Sequence, residues 1–259
     1  MSDDFQDANV DWFVEAAATT SRGPVREDNQ DAIVLDGQVA QRSGTLLHMY
    51  KMRTAGTPIS FAVVDGMGGY EGGAEAACIA ATSISKFDLT QVGDAAEVDA
   101  LFTNLSSRIL QAGQAWGTPD MGAAFAMLTL DGNAFAVANV GDCRVYRFDP
   151  VEHVLGMLSV DDRLVGGRGG ITQSLGVVSA KIDAHSYSDC VQGADRFLLC
   201  CDGVWGTLGD DLLEAIVRDN ERAVDAVRVI MQQCYAQGAT DNCSAIVANM
   251  VCRERGVAK

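Results

Sequence analysis

Five aspartates in this chain stand where an apolar run meets a turn, and one arginine stands close to the first of them. FAVVDGMGG carries Asp65, RFLLCCDGVWG carries Asp202, ANVGDCRVY carries Asp142, GATDNCSAIV carries Asp241, and VREDNQDAIVL carries Asp31. Any one of these has an ordinary structural explanation, because Asp-Gly is a common turn dipeptide and Asp can bond its own backbone in a turn. The set has a chemical meaning. Carboxylates brought together at strand ends from remote positions repel one another unless cations lie between them, and an all-oxygen donor set suits Mg2+ or Mn2+. Two such ions lower the pKa of a shared water, orient it and stabilise charge developing on a phosphoryl group. Arg26, five positions before Asp31, could offer its planar donors to phosphate oxygens, or could simply pair with Glu27 or another acid at the surface.

The elements that would position these residues can be read from periodicity. Strand-like runs occupy 13–20, 31–36, 46–52 and 59–65, followed by helical spacing over 74–87 and 96–116. Further strands are expected at 123–130 and 133–140 about Asp131-Gly132, a hairpin signal, and at 143–148 after a turn at Gly141-Asp142. A strand at 153–159 could pair next, and a glycine-rich loop spans 161–170. Strands at 181–188 and 196–202, helices at 210–219 and 221–237, and a last strand at 242–252 complete the chain. Hairpin-linked strands argue against a regular βαβ repeat. Two antiparallel sheets packed together with helices on their outer faces would bury the apolar faces of both element types, an α+β architecture. No convincing linker interrupts the 259 residues, so a single domain over 1–259 is expected.

Lys and Arg number 19 against 35 Asp and Glu, a formal charge of −16, which disfavours nucleic acid and anionic lipid as general partners. Eight cysteines include no CxxC pair and there are only three histidines, so a zinc cluster is poorly supported. Most of the cysteines lie among apolar residues and read as buried thiols. The acidic start MSDDFQDANVDW lacks the regions of a secretory signal, and no apolar stretch reaches spanning length. A reducing, cytoplasmic setting is therefore expected.

SRGPVREDNQDA, FAVVDGMGGYEGG, ANVGDCRVYRF, ITQSLG, LLCCDGVW and TDNCSAIV, in that order from about Thr20 to Met250, resemble the PPM (type 2C) family of metal-dependent serine/threonine protein phosphatases, in its bacterial form. The resemblance implies an αββα four-layer sandwich with metals at one end of the paired sheets. It implies that Asp65 bridges two Mn2+ or Mg2+ ions, that Asp202 and Asp241 complete one site, and that the Gly66 carbonyl serves the other. Asp31 would hold a metal-bound water and Arg26 would grip the substrate phosphate. Asp142 with Asp202 matches residues that carry a third, weaker ion in bacterial relatives. The implied reaction is direct attack of metal-activated water on the phosphorus of phosphoserine or phosphothreonine in proteins, with no phosphoenzyme. The implied partners are phosphorylated proteins, substrates of a serine/threonine kinase, met by a cytoplasmic, monomeric enzyme.

Three positions depart from the family pattern. Gln30 stands where many relatives have glutamate, which weakens the metal-facing character of that position. Met67 replaces a histidine of eukaryotic members and cannot donate a proton. The segment SVDDRLVGGRGGITQSLG at 159–176 is shorter than the flap of many relatives, and Arg163 and Arg168 within it are either partners for an acidic phosphosite or solvent-facing cations. Two other functions remain open at this level: a catalytically silent module that binds phosphorylated or nucleotide-signalling partners, and a phosphoesterase acting on a small molecule in a deep pocket. The glycines at 66–73 lack the Lys and Ser/Thr of a nucleotide-binding P-loop.

Overall fold

The computed structural model describes residues 10–68, 72–85, 95–164, 170–176 and 182–254. With strands and helices numbered in chain order, one six-stranded sheet runs β4 (Thr45–Met52), β1 (Val10–Ser21), β12 (Cys243–Glu254), β11 (Arg196–Cys200), β8 (Arg144–Asp149), β9 (Val154–Met157). The other runs β10 (His185–Cys190), β7 (Ala134–Val140), β6 (Gly122–Asp131), β5 (Ile59–Met67), β2 (Asp31–Leu35), β3 (Gln38–Ala40). Every strand pair is antiparallel.

The inner strands of the second sheet, β2, β5, β6 and β7, are buried on both faces, which explains their unbroken apolar runs. Side chains alternate across a strand. Ile33 and Leu35, then Ile59, Phe61 and Val63, then Ala124, Ala126, Leu128 and Leu130 pack into the core between the sheets. Their neighbours Ala32, Val34, Ala62, Val64, Phe125 and Met127 face the opposite way, into a second core with α1 (Gly72–Ile84) and α2 (Ala95–Trp116). Helix α1 presents Ala76, Ala77, Ala80 and Ala81 to this core, so its backbone lies close to the sheet. On the far side, α4 (Asp210–Asp219) and α5 (Ala223–Ala236) bring Leu213, Val217, Val227 and Ile230 to the outer face of the first sheet, in apolar packing continuous with the first core, and α5 packs on β1 and β12. The layers are helix, sheet, sheet, helix, as expected from sequence.

The differences are local. Residues 202–208 form a short helix, α3 (Asp202–Leu208), where a turn is the natural reading of Asp-Gly, and the second helical group therefore has three members. Strand β3, three residues at an exposed edge, has no periodicity to reveal it. The turn at Gly141-Asp142 does not close a hairpin: β7 belongs to one sheet and β8 to the other, so the chain crosses between sheets there. Strands β4 and β5, which sequence alone makes neighbours across a turn, also lie in different sheets. The helix expected over 74–87 starts at Gly72 and ends at Ile84; residues 86 and 87, like Arg168 and residue 181, lie outside the described residues.

Candidate active site

The antiparallel register of β2 and β5 sets Asp31 directly opposite Asp65 at one end of the second sheet. From the facing sheet, β11 ends at Cys200, and the chain enters α3 at Asp202 with Cys201 as the helix N-cap. Asp241 lies two residues before β12. Two close approaches bring these chain segments together. A Cβ on Gly66 would come within 2.0 Å of the Gly73 carbonyl oxygen, and one on Gly203 within 1.9 Å of the Asn242 carbonyl oxygen, so both positions exclude any larger residue.

The result is a cleft of about 630 Å³ lined by Arg26, Glu27, Asp28, Gln30, Asp65, Gly66, Met67, Ile171, Asp202, Asp241 and Asn242, among others. Asp31 is fully buried behind it. Its Oδ2 accepts a bond from Ser244 Oγ at 2.7 Å. Its Oδ1 is buried without a hydrogen-bond partner among the described residues. Burial pushes the Asp31 carboxyl up to about 7, the Ser244 hydroxyl and the nearby Cys201 thiol offsetting only part of the effect. Asp65 is raised well above the carboxylate range by burial and by the charges of Asp31, Asp202, Asp241 and Asp142. Asp202 is raised by burial and by the charge of Asp241. Asp142, 1% exposed, is pushed up to about 6 by burial and by Asp202, against the opposing charge of Arg163.

Two arginines contact this acidic group. Arg26 Nη2 pairs with Asp241 Oδ2 at 2.7 Å, and Arg26 Nε donates to the Thr240 carbonyl at 3.2 Å. Arg163 Nη1 pairs with Asp142 Oδ2 at 2.8 Å, so Arg163 points inward rather than to solvent. Asp142 does not line the cleft; it joins the group through the charge of Asp202. Among the described residues no three His, Cys, Asp or Glu side chains are already gathered as a ligand set. The donor chemistry nevertheless fits divalent cations: oxygen donors only, raised carboxyls, and two buried carboxylate oxygens, on Asp31 and Asp142, with no partner among the described residues.

One residue whose role sequence reasoning missed is Asn242. Its Nδ2 donates to the carbonyls of Arg22 (3.1 Å) and Asp28 (2.8 Å), and its Oδ1 accepts from the Gln30 amide at 2.8 Å. A single buried side chain thus ties down both ends of the irregular segment that presents Arg26. A polar residue at the mouth of the apolar run NCSAIV was the available signal.

A protein phosphatase 2C family model matches residues 48–248. The chain belongs to the protein phosphatase 2C family. Among curated proteins, the serine/threonine protein phosphatase PstP of Mycobacterium tuberculosis is 25% identical over 94% of this chain and 46% of its own length. The chain therefore spans about half the length of the curated relatives it matches. Among solved structures, PppA, described as a key regulatory component of T6SS in Pseudomonas aeruginosa, superposes with a TM-score of 0.76 at 24% identity, covering 94% of this chain and all of that one. The catalytic domain of PstP in complex with two manganese ions superposes at 0.74 and 22% identity, covering 93% and 99% of the two chains. A serine/threonine phosphatase from S. agalactiae gives 0.75 at 17% identity, covering 91% and 98%. At these identities the structural likeness speaks for the fold.

Proposed function

We propose that this chain, as one domain, is a protein serine/threonine phosphatase that hydrolyses phosphoserine and phosphothreonine in other proteins with the help of two Mn2+ or Mg2+ ions. The observation that carries the reading is the meeting of Asp65, Asp202 and Asp241 with Arg26 in one cleft, from positions up to 215 residues apart. Asp65, Asp202, Asp241 and the Gly66 carbonyl would hold the ions, which when bound lower the pKa of a water and neutralise charge on the phosphoryl oxygens. Arg26 would turn from Asp241 to the phosphate, presenting paired N–H donors to its oxygens. The Oδ1 of Asp31, which is opposite Asp65 on the paired strand and has no partner among the described residues, would accept a hydrogen bond from a water and orient it. Met67 lines the cleft and has no proton to give, so the leaving oxygen would take its proton from solvent.

The Arg26 side chain is 53% exposed and that of Asp241 is 37% exposed, so the phosphate grip sits at an accessible rim. A rim of this kind suits a phosphorylated side chain on a protein surface better than a metabolite that must be enclosed. All eight cysteines are free thiols, in keeping with a reducing cytoplasmic setting, and no described helix is long and apolar enough to cross a membrane. Kinase-phosphorylated proteins are the proposed partners of a monomeric enzyme. Purified protein assayed on a phosphoserine/phosphothreonine peptide with Mn2+, Mg2+ or EDTA, beside Asp202→Asn, tests the reading. Turnover that needs metal and is lost in the variant supports it. No turnover above Asp202→Asn with either metal overturns it.

A further inference from the structure

Asp142 is a buried carboxylate engaged through one of its two oxygens. It is 1% exposed, its Oδ1 has no hydrogen-bond partner among the described residues, and its Oδ2 is held by Arg163 Nη1 at 2.8 Å. Arg163 is not a loosely tethered surface cation. Its guanidinium lies 5.1 Å from the centre of the Trp205 ring, and the same indole donates from Nε1 to the Asp142 carbonyl at 2.9 Å. Arg144 stacks on that ring at 3.6 Å. The positive charge of Arg163 acts on Asp202 as well as on Asp142. Both carboxylates that would have to share an additional ion are therefore already served by one side chain.

The backbone of Arg163 is fixed from both directions. The preceding residue, Asp162, donates its amide to the Gly141 carbonyl (2.9 Å), accepts from the Gly141 amide through Oδ2 (2.8 Å) and contacts His185 Nε2 through Oδ1 (2.9 Å). Arg163 itself forms an isolated β-bridge with Ile171, a residue of the cleft wall. The guanidinium is thus delivered to Asp142 by a braced segment that also shapes the catalytic cleft.

We propose that Arg163 is a built-in cation that occupies the Asp142 carboxylate, so that a third divalent ion binds there only by displacing it. This rests on the reading of Asp142 and Asp202 as ion ligands. A divalent ion and a guanidinium cannot share the carboxylate without strong like-charge repulsion. Arg163 therefore weakens the last ion-binding step most, because it contacts Asp142 directly, and acts on the first two, at Asp65, Asp202 and Asp241, only through its longer-range charge on Asp202. Displacement would also move a guanidinium that lies 5.1 Å from the centre of the Trp205 ring.

The test is Mn2+ binding to the whole chain, followed by calorimetry and by counting free Mn2+ by electron paramagnetic resonance, in Arg163→Gln and wild type. The proposal expects Arg163→Gln to tighten the weakest Mn2+ step by at least about tenfold, the scale of one nearby unit charge removed from a partly solvated site. It expects Asp142→Asn to erase that gain when combined with Arg163→Gln. Arg163→Lys, which keeps a competing cation, should stay close to wild type and guards against a folding artefact, with near-ultraviolet circular dichroism as the check on packing. A weakest step in a folded Arg163→Gln that is no tighter than in wild type overturns the proposal, however many ions the wild type holds. Equal tightening in Arg163→Lys also overturns it, since loss of a specific shape, not of charge, would then be responsible. If neither protein binds any Mn2+, the phosphatase reading falls as well.

Discussion

Replacing Asp31 by asparagine should stabilise the metal-free protein, although it removes a residue proposed to take part in the reaction. The Asp31 carboxyl is fully buried and raised from 3.8 to about 7, chiefly because burial penalises its charged form. An acid whose folded pKa lies above its unfolded value costs nothing below the unfolded value, and costs progressively more as pH rises towards the folded one. Here the cost opens near pH 4 and levels off above about pH 7. Roughly three decades of proton affinity at about 1.4 kcal/mol each set it at about 4 kcal/mol. The replacing amide would carry no charge and could still accept the Ser244 hydroxyl, and its neutrality would relieve Asp65 too, which Asp31 repels. Asp31→Asn should therefore gain about 2–4 kcal/mol at pH 8 in EDTA, measured by urea unfolding, and less than about half of that at pH 5. Saturating Mn2+ should shrink the gain, because bound cations stabilise the ionised wild type. Destabilisation at pH 8 in EDTA, or a gain equal at both pH values, would refute the reasoning.

Three further outcomes follow from the same geometry. Arg26→Ala should lower kcat/KM on a phosphopeptide by roughly 30- to 100-fold, the loss of a charge-assisted phosphate contact, while shifting stability by less than about 1 kcal/mol because its pair with Asp241 is half exposed. Asn242→Asp keeps the shape but loses both donations to the Arg22 and Asp28 carbonyls; trypsin should then cut after Arg22 or Arg26 faster than in wild type, and KM should rise more than kcat falls. Gly203→Ala should cost at least about 2 kcal/mol in urea unfolding, since its Cβ would meet the Asn242 carbonyl oxygen at 1.9 Å and backbone would have to move.

The parts of the fold legible in sequence are those whose period is imposed by burial. Strands β2, β5 and β6 read cleanly because alternate residues enter two different cores. Helix α3 did not, because Asp202, Gly203 and Gly206 have turn chemistry and the helix is held by tertiary packing of Val204 and Leu208. The crossing at Gly141-Asp142 was hidden for a related reason: turn composition says that the chain reverses, not which sheet receives the next strand. In the site, the carboxylates were legible as strand-end residues. Their partners were not, since Arg26 meets Asp241 across 215 residues, and the partner of Arg163, 21 residues away, depends on a sheet crossing.

The two arginine pairs differ in a way that orders events at the site. Arg26 and Asp241 are 53% and 37% exposed, and an ion pair so open to water is worth about 0–1 kcal/mol. On the proposed function, a divalent ion arriving at Asp241 would therefore meet little resistance, and the arginine it released would stay tethered beside the cleft, free to meet a phosphate. The charge proposed to bind the ions and the charge proposed to bind the substrate would thereby be exchanged at one carboxylate. Arg163 and Asp142 are 30% and 2% exposed, and separating them uncovers a buried carboxylate whose other oxygen is already unpartnered among the described residues. Breaking such a pair costs several times more than breaking the exposed one. Cations are accordingly expected to fill the Asp241 end first and the Asp142 end last.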